Sequence, residues 1–86
     1  MSELEELRAE VAAADREILA AVNRRLGLVR RIGEHKRRHG IAFVDPEQER
    51  RLVAALQEAN AGPLSAEGVR ELFEQILALV KRELER

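Results

Sequence analysis

Basic side chains crowd one stretch of this chain: Arg24, Arg25, Arg30, Arg31, Lys36, Arg37 and Arg38 lie between Arg24 and His39, opposed there only by Glu34. Such groups bind anions, and the planar fork of a guanidinium suits a carboxylate in a bidentate contact. Two of them occupy positions that a solvated surface does not require. Arg25 interrupts an apolar series, and Lys36, eleven residues on, returns on an ideal helix to within about 20° of the Arg25 direction, roughly 16 Å along the axis. The two cations therefore share one face. Arg8 lies too far along the same helix for its own chain to bring it beside Arg25, but an antiparallel partner helix would do so. Buried cations are rare unless paired, so carboxylates of the fold or an anionic ligand must meet them. The structural alternatives are a solvated face, snorkelling side chains, or an arginine paired with Asp15 or Glu49 across a bundle. Arg30, Arg31, Arg37 and Arg38 read as solvated surface that also draws anions inward. His35 and His39 have no companion ligands at metal-binding spacing, so neither is given a role and no metal site is expected.

The elements that position these groups are legible from apolar spacing. Leu4, Leu7, Val11, Ala14, Ile18 and Ala21 form a heptad-like seam that resumes at Leu28 and Ile32 after the break at Arg25. With no Pro and only Gly27 and Gly33 interrupting, this predicts one helix from Leu4 to about His39. Such a helix runs roughly 50 Å, against a radius of gyration near 12 Å for a compact domain of this size. It must project beyond its own subunit, and a partner chain is needed to cover it. Gly40 is a natural end residue, and Ile41-Ala42-Phe43-Val44 suffices only for an extended connector. Asp45-Pro46-Glu47-Gln48 then starts a second helix, with Asp45 as N-cap, Pro46 in the first turn and Gln48 closing a capping box. That helix carries Leu52, Val53 and Leu56 and ends near Ala59-Asn60. Ala61-Gly62-Pro63 reads as a turn, and Ser65 caps a third helix bearing Val69, Leu72, Phe73, Ile76, Leu77, Val80 and Leu84.

The predicted class is therefore all-α, a three-helix subunit with a long first helix, in a single domain over residues 1–86. Composition agrees: 45% hydrophobic and 36% charged residues with 2% aromatics is the signature of long helices. A chain of 86 residues buries only about 60% of its unfolded surface. Without Cys for disulfides or a zinc cluster, oligomerisation is the remaining source of stability. The acidic Met1-Ser2-Glu3-Leu4-Glu5-Glu6 start resembles no signal peptide and no apolar run reaches membrane-spanning length, so a cytoplasmic location without membrane association is expected. A net charge of −1, the lack of an aromatic platform and the absence of a helix-turn-helix pattern argue against nucleic acid as a partner.

Leu7-Arg8, Asp15, Arg25, Gly33, Lys36, Gly40, Val44-Asp45-Pro46 and Glu49-Arg50 follow one another in an order and spacing that continue through Gly62-Pro63-Leu64-Ser65 to Phe73 and Ile76. This pattern resembles the all-helical, AroQ-type chorismate mutases over nearly the whole chain. The resemblance implies an intertwined homodimer whose two sites are each completed by the first helix of the partner. It also implies an isomerase of phenylalanine and tyrosine biosynthesis that converts chorismate to prephenate without a cofactor. That Claisen rearrangement needs a held conformer and stabilisation of charge on the breaking ether bond. By resemblance, Arg8 of one subunit and Arg25 of the other bind the carboxylates of a dianionic substrate. Lys36 is the main catalytic residue at a carboxylate and the ether oxygen, and Glu49 accepts the ring hydroxyl. Asp45, Gln48, Val80 and Leu84 fall at substrate-binding positions, with Ile32, Leu52 and Leu77 as apolar walls.

Three of these positions depart from the family pattern. Gln48 stands where many members carry arginine, Val80 stands at the usual serine, and Leu84 stands where a glutamine or glutamate faces the ether oxygen. The nearest polar residues to Leu84 are Glu83 and Glu85, each about 100° away on an ideal helix; a displaced last turn would bring Glu83 inward. The alternatives are a mutase or pyruvate lyase for 4-amino-4-deoxychorismate or isochorismate, and a non-catalytic helical dimer partnering a shikimate-pathway enzyme.

Overall fold

A computed structural model describes residues 2–86 as three helices: α1 (Glu3–Arg38), α2 (Pro46–Ala59) and α3 (Ala66–Leu84). Each start is fixed by a short side-chain acceptor. Ser2 takes the Glu5 N–H, Asp45 the Gln48 N–H and Ser65 the Gly68 N–H, each satisfying one of the amides that a helix start leaves unpaired. At the end of α1 the Ile41 N–H reaches the Lys36 carbonyl at 2.9 Å and the Gly40 N–H reaches that of Arg37. This is a Schellman ending, and Gly40 supplies the positive φ of 64° that it requires. Gly62, at φ 84°, turns the chain between α2 and α3. There the Asn60 side chain holds both the Gly62 N–H and the Leu64 carbonyl.

The first helix is 36 residues long and none of its side chains is buried. The molecule accordingly measures 57 Å along its longest axis, with a radius of gyration of 16.3 Å. Core packing is confined to α3, chiefly against α2 and more lightly against α1. Among the described residues only Val69 and Val80 are buried hydrophobics, while Leu4, Leu7, Val11 and Ile18 on the seam of α1 stay at least half exposed. So small a core does not hold a domain of this size by itself. No helix among the described residues is long and apolar enough to cross a membrane.

Candidate active site

The Schellman ending of α1 folds the connector back over the helix it has just left, and this reversal builds the site. Phe43 comes to rest on Gly33, where a Cβ would stand only 2.9 Å from its Cε2. The Phe43 carbonyl then accepts a hydrogen bond of 3.2 Å from Lys36 Nζ. Lys36 is thereby aimed into a cleft of about 640 Å³ bounded by the end of α1, the connector and the last turns of α3. Its apolar walls are Ile41, Phe43, Val44 and Leu84. The expected walls Ile32, Leu52 and Leu77 are not among its lining; connector residues Ile41, Phe43 and Val44 are. Arg30, Lys36, Arg37 and Lys81 line the cleft against the carboxylates Glu34 and Glu85, so positive charge predominates. An apolar wall beside an excess of cations suits a small anion with a carbon skeleton.

Arg25 lies further back on α1, and its Nη1 is buried without a hydrogen-bond partner among the described residues. Neither Asp15 nor Glu49 neutralises it: among the described residues, Glu49 instead pairs across helices with Lys81, Oε1 to Nζ at 2.8 Å. A desolvated, unpaired guanidinium nitrogen is costly, which is the condition an anionic ligand relieves. Arg8 is exposed on the N-terminal half of α1, roughly 25 Å along the axis from Arg25. Within one chain the two arginines do not meet.

At the start of α2, Asp45 uses Oδ1 to cap the helix. Gln48 does not close the anticipated capping box; its side-chain oxygen accepts from Arg51 Nη2 at 3.4 Å. Neither residue lines the cleft. On α3 the structure places Val80 in the core rather than on the cleft. It is 4% exposed, continues the core stripe through Val69, Phe73 and Ile76, and does not reach the cleft. Leu84 does line it, together with Lys81 and Glu85. Glu83 turns away and pairs with Arg86 at 2.9 Å. Lys81 and Glu85 are thus cleft-lining residues that the sequence reading did not name, hidden in a terminal run of charges that looks like a solvated end. The signal was the core stripe itself: a buried residue 80 turns residues 81, 84 and 85 toward the neighbouring face. No group of side chains suited to a metal ion occurs among the described residues.

The family model described as chorismate mutase type II matches residues 7–85. The chain belongs to this family. Among solved structures, the form II structure of chorismate mutase from Thermus thermophilus superposes with a TM-score of 0.92 at 34% identity, covering 99% of this chain and 97% of that one. The form I structure of chorismate mutase from the same organism gives 0.89 at 34% identity, over 92% of this chain and 99% of that one. The T-protein of Haemophilus influenzae is 34% identical over 84 residues, 96% of this chain and 21% of its own length. The bifunctional chorismate mutase/prephenate dehydratase of Aquifex aeolicus is 33% identical over 82 residues, 91% of this chain and 23% of its own length. The chain therefore spans about a fifth of the curated relatives it matches. As a type II chorismate mutase fold, it places Lys36 and Leu84 in one cleft and leaves Arg8 exposed on the far half of α1.

Proposed function

We propose that this chain is a chorismate mutase acting as a homodimer, rearranging chorismate to prephenate in the synthesis of aromatic amino acids in the cytoplasm. The observation that carries the reading is the Lys36 ammonium, held by the Phe43 carbonyl in a cleft with apolar walls, with the unpartnered Nη1 of Arg25 further along the same helix. A pericyclic rearrangement asks the protein for no nucleophile and no proton transfer. It gains from a compact substrate conformer and from positive charge where the ether oxygen becomes negative. Ile41, Phe43, Val44 and Leu84 supply the shape and exclude water; Lys36 supplies the charge. Arg25 takes one substrate carboxylate, and Arg8 of a second copy takes the other. Glu49 accepts the ring hydroxyl, while the Asp45 cap fixes the helix start that presents it.

The same geometry supports the dimer. The uncovered seam of α1 matches what a second α1 offers in a two-fold arrangement, since a symmetric interface pairs each patch with itself. The antiparallel crossing that covers the two seams also carries each Arg8 toward the other chain's Arg25. Loss of chorismate absorbance tests the assignment, with wild type beside Lys36→Ala. The variant's kcat falls by about two to three orders of magnitude, the usual cost of one such donor. Equal, background-level rates in both would reject it.

A further inference from the structure

Lys81 makes the one ion pair between helices among the described residues; the other pairs join residues three or four apart within one helical stretch or its end. Its ammonium meets Glu49 Oε1 at 2.8 Å, with the lysine side chain 39% exposed and the glutamate 29%. The pair is thus partly desolvated yet open to a solute. The same lysine lines the cleft with Lys36, one helical turn before Leu84. Lys36 is engaged by a neutral carbonyl, whereas Lys81 is engaged by a carboxylate. A carboxylate entering the cleft can take the place of Glu49 on Lys81 without leaving that ammonium unpaired, so the exchange carries little of the penalty of breaking a partly buried pair.

We propose that Lys81 is a substrate-binding residue whose ammonium exchanges Glu49 for a carboxylate of the dianionic substrate, releasing the glutamate oxygen to accept a substrate hydroxyl. The inference rests on the proposed function for the identity of that dianion. It makes α3 a contributor of charge to the site, where Leu84, one turn on, supplies only apolar surface. The exchange is a ground-state contact, so it is read in binding more than in turnover.

Steady-state kinetics with chorismate, and calorimetric titration with prephenate, which carries the same pair of carboxylates, test this on wild type, Lys81→Met and Lys81→Arg. Lys81→Met raises the KM for chorismate and the Kd for prephenate about tenfold or more, with kcat within about threefold, as loss of uniform binding requires. Lys81→Arg keeps the charge and stays within about threefold of wild type in both constants. Thermal melts of the same samples separate a brace from a binding group. A Lys81→Met protein with lowered Tm but unchanged KM and Kd is the signature of a pair that only ties α2 to α3, and it overturns the proposal while leaving the mutase assignment standing. A wild-type chain that neither consumes chorismate nor binds prephenate overturns both.

Discussion

The Phe43 ring occupies the space that a side chain on Gly33 would enter, with Cε2 only 2.9 Å from where a Cβ would stand. The same residue's carbonyl holds Lys36, so a small change in packing at position 33 is transmitted to the cation in the cleft. Gly33→Ala gains about 1 kcal/mol of helix propensity, while the half-exposed ring gives way on its connector. Tm is therefore unchanged or higher, whereas kcat/KM falls about tenfold as Lys36 loses its fixed orientation. A variant that loses Tm and activity together would show that position 33 serves packing rather than the placement of Lys36.

Leu84 lines the cleft without offering a hydrogen bond. Leu84→Gln adds a neutral donor on the face of α3 that Lys81 shares, and a donor aimed at developing charge is a rate term. The variant turns over chorismate about tenfold faster or more, at similar KM. A slower variant would mean that the apolar surface of Leu84 is worth more to the reaction than a donor at that position.

The proposed dimer covers the exposed seam of α1 with a second copy. Ile18→Glu places a charge in the middle of that uncovered stripe and converts the dimer to monomer in analytical ultracentrifugation, with loss of activity. For wild type, Tm rises with protein concentration, as mass action requires when folding and association are linked. A wild-type Tm independent of concentration, with a monomer in the centrifuge, would refute the assembly.

The helices and their starts were legible in the sequence because they depend on near neighbours. Asp45 and Ser65 announce their helices through amides three residues away, and Gly40 ends α1 through carbonyls within five residues. The length of α1 alone foretold an uncovered helix. What stayed hidden depends on packing between helices. Val80 and Lys81 are adjacent in sequence, but the contact of α3 with α2 buries the first and turns the second toward Glu49. Gln48 was misplaced for a different, local reason: Arg51, one turn ahead on the same helix, competes for its side chain. Phe43 gave no signal at all, because its role exists only once the connector has folded back on Gly33.

A site shared between two chains can be rebuilt by mixing two variants that are each inactive alone. Arg8→Ala and Arg25→Ala each abolish activity alone when every site draws one arginine from each subunit. Unfolded together in equal amounts and refolded, they form heterodimers in which one site recovers both arginines and the other loses both. The mixture then regains about a quarter of wild-type activity, because half of the dimers are mixed and half of their sites are intact. A mixture that stays at the level of the separate variants would contradict the shared site.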